Sequence, residues 1–209
     1  MSLPLIRLVT ANPGKLAEVQ ALLAGCCLLE STSIDLDEYQ GEPDEVARKK
    51  CLAALQALRA PEAQAPRPAG VLVEDTCLCF EALGGMPGPY VKWFLKAVGP
   101  SGLHRLLADF DNKRASALCT FAFARPASAG YTGHVDVRLF QGRTEGTVVE
   151  PRGQSGFGWD SCFEPAGSDR TYAELSKEEK NLISHRAKAL QALKSGLLPL
   201  LTDDNAPSP

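Results

Sequence analysis

Net charge is nearly absent from this chain: 22 Lys and Arg stand against 25 Asp and Glu, leaving −3 over 209 residues. That balance gives no general basic field, so neither a nucleic-acid polymer nor a membrane surface is expected as a partner. Any anion must instead be met by individually placed lysines and arginines. Long apolar runs are also missing. The N-terminal stretch is apolar only from Leu3 to Val9, with Pro4 and Arg7 interrupting, too short and broken for a signal peptide or a membrane span. The seven cysteines lack the paired C-x-x-C spacing of zinc sites, Cys26-Cys27 and Cys77-x-Cys79 included, so structural zinc is not expected. An odd cysteine count without an export signal predicts reduced thiols and a cytoplasmic location. No internal repeat is present.

What is there suits a soluble globular protein: 44% of residues are hydrophobic and 22% charged. The length predicts one domain over residues 1–197, with a loose tail at 198–209. Leu5 to Val9 reads as a strand and Cys27 to Ile34 as a second. Between them lies a helix with Leu16, Val19, Leu22 and Leu23 on one face and Gly25 as a stop. A helix from Asp44 to Arg59 follows, then a loop over 60–70. Tyr90 to Val98 and Gly102 to Phe110 read as two short helices separated by Gly99-Pro100. Strands are expected over Ser116–Ala124, Val135–Gln141 and Arg143–Val149, with a hairpin-like turn from Arg125 to Gly133 and a bend or bulge at Gly142. The final helix opens on a capping box, Ser176-x-x-Glu179, and its expected buried stripe is Leu182, Ile183, Ala189, Leu190 and Leu193. Helices early and late around a β meander predict an α/β fold: a mixed sheet with helices packed around it.

The chain is organised around Val71–Leu95. An apolar run delivers Glu74 and Asp75 where a strand is expected to end, a place where open α/β sheets put ligand chemistry. A turn rich in Gly and Pro and a helix carrying Lys92 come next. Thr10-Ala11-Asn12-Pro13-Gly14-Lys15 is either a plain strand-to-helix connection or a phosphate cradle at a helix start. It is not a Walker loop, because Leu16 replaces the magnesium-holding Ser or Thr. Asp35, Asp37 and Glu38 can hold a hard cation such as magnesium. On a wheel of about 100° per residue, Lys50 falls roughly 40° from Val46, inside the apolar arc of its helix. It either snorkels to water along its stem or aims an ammonium at an anion. Phe157, Gly158, Trp159 and Asp160 form either a stacking platform for a nucleobase or an aromatic plug in the core. Arg186 points into the last helix's apolar stripe with His185 at its edge, and a buried guanidinium needs a carboxylate or a ligand.

Taken in order, Thr10-x-Asn12-x-x-Lys15, Glu74-Asp75-Thr76, Gly85-x-Pro87-Gly88-x-Tyr90, Phe157-Gly158-Trp159-Asp160, Lys180-Asn181 and Ser184-His185-Arg186 resemble the inosine triphosphate pyrophosphatases, from about Leu5 to Leu193. Tyr39–Glu45 and Val73–Cys79 are similar to the eukaryotic type. The chain departs at Ala11, where glycine is frequent, and at Ser161, where proline is usual. Both alter loop shape and neither removes a functional side chain.

The resemblance implies two lobes around a substrate cleft, a homodimer, and magnesium-dependent hydrolysis of non-standard purine nucleoside triphosphates, with manganese as a possible substitute. It implies phosphate contacts from Thr10 to Lys15 and from Lys50, with added positive charge from Lys92 and Lys180. Glu38 and Asp75 are the expected metal ligands; Asp75 or Glu74 is the expected base, assisted by Lys15, with Thr76 alongside. Phe157, Gly158, Trp159, Asp160, His185 and Arg186 are placed around the purine. Two other classes stay open: a non-catalytic purine nucleotide-binding module, and a thiol enzyme using Cys77 or Cys79 with His185.

Overall fold

The computed structural model describes residues 3–58, 68–126, 135–154 and 158–202. The expected tip of the loop at 59–67, the turn at 127–134 and Phe157 lie outside the described residues. The sheet is mixed and seven-stranded, with five helices around it, as the sequence predicts. Its strands are Leu5–Val9 (β1), Leu28–Thr32 (β2), Gly70–Phe80 (β3), Pro87–Gly88 (β4), Arg114–Ala124 (β5), Val137–Val148 (β6) and Phe163–Pro165 (β7). They run in the order β2-β1-β3-β5-β6-β7, with β4 paired to β3. β1 is parallel to both β2 and β3, whereas β4 on β3 and β7 on β6 are antiparallel. The helices are Pro13–Leu23 (α1), Pro43–Ala57 (α2), Val91–Arg105 (α3), Lys177–Ile183 (α4) and His185–Thr202 (α5).

The described chain falls into two compact units. One is drawn from residues up to Glu74, from Thr120–Phe140 and from Leu190 onward; the other is drawn from Asp75–Cys119 and Gln141–Ala189. Each has its own core. In the first, Ala47, Cys51, Ala54 and Leu55 of α2 pack on Val71 and Val73 of β3, Ala122 and Ala124 of β5, and Val137. Small side chains let α2 come close: Cys51 Sγ lies 3.4 Å from the Ala122 carbonyl oxygen, and burial pushes its thiol up to about 12. The apolar arc expected on this helix is therefore the buried one. In the second unit the core gathers Leu78, Phe80, Val91, Leu103, Leu107, Trp159, Phe163 and Tyr172.

Four local readings change. Strand β3 does not stop at its acids but runs on to Phe80, because β4 supplies a new partner through Leu78 and Cys79. Gly142 is no break: β6 is continuous through it, and the glycine is there because α5 presses on it. A Cβ at Gly142 would collide with the His185 carbonyl oxygen and the Ala189 amide nitrogen. The last helix is two helices. Ser184, with φ −70° and ψ 152°, ends α4, and its hydroxyl accepts from the Ala187 N–H at 3.2 Å at the start of α5. The wheel drawn across that break misplaces Leu182, which is 82% exposed, while Ala189 and Leu193 are buried as expected. Finally, α5 continues through Pro199 to Thr202, so 198–202 are helical and only 203–209 lie outside the described residues. The kink expected at Gly99-Pro100 is present inside α3, where Gly99 adopts φ 66°.

Candidate functional site

In the first unit Thr10 and Glu74 lie where parallel strands end. Val9 of β1 pairs with Val73 of β3 as the last step of their parallel register. Thr10 and Glu74 therefore follow at the carboxyl ends of the paired segments, where α/β sheets bind ligands. This rescues the expectation for the acids: they close the parallel part of β3, although the strand continues. In a largely buried strand, Glu74, Asp75 and Thr76 are three consecutive half-buried residues, although the Glu74 side chain itself is covered.

The Thr10–Lys15 turn is held by its own side chains. Asn12 caps α1, its Oδ1 accepting from the Gly14 N–H at 2.9 Å and the Lys15 N–H at 3.3 Å. Thr10 Oγ1 accepts from the Asn12 N–H at 3.1 Å. Two amides that a phosphate cradle would have used are thus committed to Asn12, and Pro13 has none to offer. What the turn presents to an anion is chiefly the Lys15 ammonium. Ala11, Pro13 and Gly14 are exposed, and Thr10, Asn12 and Lys15 are half-buried.

Each lysine here stands against a carboxylate. Lys15 Nζ lies 3.3 Å from Glu74 Oε1, and Glu74 is only 3% exposed in its side chain. Lys50 Nζ lies 2.8 Å from Glu38 Oε2. The lysine that breaks the apolar arc of α2 is therefore paired with a carboxylate, Glu38, that is itself exposed. Asp35 and Asp37 are exposed, and no group of three or more His, Cys, Asp or Glu suited to a metal occurs among the described residues.

The second unit holds the other constellation. Asp160 follows Trp159 in a tight turn and is buried; its Oδ2 accepts from Lys180 Nζ at 2.5 Å. Burial pushes the Asp160 carboxyl above its usual range, while Lys180 and Arg186 pull against that rise. Arg186 is half-buried and near enough for its charge to be felt at Asp160. His185 is 4% exposed and its ring lies 5.3 Å from that of Trp159. Trp159 itself is a core residue at 7% exposure, 5.5 Å from Phe163 in an edge-to-face arrangement. For Trp159, the core-plug alternative describes the fold. Gly158 has φ 62°, a turn conformation suited to glycine. Lys92 is exposed on α3, with Nζ 5.4 Å from the Trp93 ring centroid.

Two contributors escaped sequence reasoning. Tyr172 lies in the same aromatic group and no local pattern marks it. Arg152 ties the glycine-rich loop to later segments, reaching Glu164 at 2.5 Å, Glu174 at 3.3 Å and the Asp169 carbonyl oxygen at 3.1 Å. Its only sequence signal is a lone arginine beside glycine. None of the seven cysteines is in a disulfide, as expected. No helix among the described residues is long and apolar enough to cross a membrane.

The model of the Ham1 family matches residues 6–196. Inosine triphosphate pyrophosphatase of Phaeosphaeria nodorum is 50% identical over 192 residues, which is 92% of this chain and 93% of that protein. Among solved structures, a HAM1 protein from Coxiella burnetii superposes with a TM-score of 0.78 at 28% identity, covering 94% of this chain and 99% of the other. A nucleoside-triphosphatase (dITP/XTP pyrophosphatase) from Mycobacterium abscessus gives 0.69 at 27% identity, covering 90% and 98%.

Proposed function

The chain belongs to the Ham1 family, and from that premise we propose that it hydrolyses non-standard purine nucleoside triphosphates, ITP, dITP and XTP, to the monophosphate and pyrophosphate, clearing them from the nucleotide pool. The observation that carries this reading is 50% sequence identity, over 92% of the chain, with a relative named inosine triphosphate pyrophosphatase.

A triphosphate carries about four negative charges, and its cleavage is mostly positioning and charge neutralisation. Lys15 and Lys50 hold the phosphates by exchanging their carboxylate partners for phosphate oxygens, with Thr10 and Asn12 shaping the turn beneath. Lys92 adds positive charge. Glu38 and Asp75 are the residues that would hold Mg2+, or Mn2+ in its place, and the ion would supply charge screening of the phosphate oxygens. Asp75, or Glu74 beside it, takes the proton of the water that attacks the α-phosphorus. Phe157 stacks on the purine, and Asp160, His185 and Arg186 meet its polar edge; Lys180, expected to add positive charge beside Lys92, is bonded to Asp160 and joins the base-reading group instead. A donor aimed at the 6-oxo group accepts hypoxanthine and xanthine, whereas adenine leaves that buried donor without a partner. The same reading extends to a homodimer working in the cytoplasm.

Incubation with ITP, XTP, ATP and GTP, with and without magnesium, tests the reading. ITP is expected to give IMP and pyrophosphate, and ATP to react at least about a hundredfold more slowly. Orthophosphate as the first product, or equal use of ATP, overturns it. A thiol mechanism makes a different forecast. Cys77 is buried at 2% exposure and both candidate cysteines follow two acids, a setting that disfavours a thiolate. Replacing Cys77 and Cys79 together by Ser is expected to leave ITP turnover within about threefold of the parent, measured at saturating substrate.

A further inference from the structure

We propose that Tyr172 is a positioning residue for the base-reading groups: its ring holds the Lys180 ammonium and the His185 imidazole in the places from which they act. The proposal rests on the base-reading role given above to Asp160, Lys180 and His185. Lys180 Nζ lies 5.2 Å from the centre of the Tyr172 ring while it donates to Asp160 Oδ2 at 2.5 Å. The His185 ring stacks on the same phenol at 5.9 Å with 22° between planes. Phe163, at 5.1 Å, and Trp159, at 6.3 Å, hold Tyr172 in turn.

Both held groups need such a support. Lysine is a flexible stem whose head can turn to water, and a ring face attracts an ammonium most where it is desolvated. Losing that face loosens Lys180, and the buried Asp160 carboxylate then loses its counter-charge. An imidazole stacked on a fixed ring keeps its plane, and with it the direction in which its nitrogens point. The Tyr172 hydroxyl has no partner in hydrogen-bond geometry, although the residue is only 1% exposed. Thr144 and the His185 backbone come near enough to restrain a phenol that burial pushes up to about 12. The ring face is what touches the Lys180 ammonium and the His185 imidazole, and phenylalanine is expected to serve in its place.

Tyr172→Phe and Tyr172→Leu distinguish these parts. Tyr172→Phe is expected to match the parent in KM for ITP. Tyr172→Leu keeps apolar bulk without a ring face, and should raise KM about tenfold with kcat within about threefold. The inhibition constant of inorganic tripolyphosphate, which has no base, should not move. The chain has three histidines, so the His185 ring-proton resonances can be assigned by substitution. They should shift in Tyr172→Leu and hold still in Tyr172→Phe. An unchanged KM and unchanged His185 resonances in Tyr172→Leu overturn the proposal, as does tripolyphosphate inhibition weakening in step with KM. Should the leucine variant fail to fold, a multiply fluorinated phenylalanine at 172 keeps the volume and weakens the ring face, with the same outcomes required. If the parent does not cleave ITP, the activity assignment falls, while the His185 resonances still decide whether Tyr172 positions the imidazole.

Discussion

Asp75→Asn is expected to lower ITP turnover by about three powers of ten while the fold survives. A positioned proton acceptor contributes typically 10²–10⁴-fold, so its loss alone is of the required size. Asparagine keeps the shape of the side chain at a half-buried position of β3, but it cannot take a proton and carries no full charge for a cation. The variant also separates the two roles assigned to this carboxylate. If Asp75 acts only as base, kcat falls while the magnesium concentration for half-maximal rate stays put. If it also holds the ion, that concentration rises as well. Thermal melting confirms the fold, and steady-state kinetics across a magnesium series gives the answer. Turnover within threefold of the parent would remove Asp75 from the chemistry.

Gly142→Ala is expected to be the most damaging single methyl group that can be added to the second unit. Its Cβ meets backbone atoms of His185 and Ala189 rather than the end of a side chain that could swing aside. The neighbourhood is tied on either side: Thr144 Oγ1 donates to the Ile183 carbonyl oxygen at 2.8 Å, and Lys188 Nζ donates to that of Arg143 at 2.9 Å. Overpacking of this kind costs about 3 kcal/mol or somewhat more. For a chain of this size that is a fall in melting temperature of about 10 °C. The displaced turn begins with His185, so KM for ITP should rise in whatever fraction folds. A melting temperature within about 2 °C of the parent would show that α5 yields easily at this point.

How much of this could be read from the letters follows how local each cause is. Helical period is local, so Lys50 stood out on its wheel, and its carboxylate partner is there. The Ser176–Glu179 capping box is local and is formed. The end of β3 is not local: whether the strand stops at Asp75 or runs to Phe80 depends on β4, which arrives only after a glycine-rich turn. Gly142 suggested a bend because glycine commonly marks one, yet here it makes room for a helix forty residues further along the chain. Leu182 was assigned to the core by carrying one helical phase through Ser184, a residue whose own hydroxyl starts a new helix. Tyr172 had no periodic neighbours to announce it; its meaning lies in rings brought from two later or earlier segments.

Lys15 and Lys50 each arrive already matched to a carboxylate. An incoming anion does not find bare cations; it must out-compete a tethered rival at each one. Orthophosphate or sulfate, small and amply hydrated, gains little from such a trade. A polyphosphate that engages both lysines makes the exchange twice with a single loss of its own freedom. On the proposed reading, selection by chain length comes ahead of any inspection of the purine, and orthophosphate and sulfate are expected to inhibit poorly.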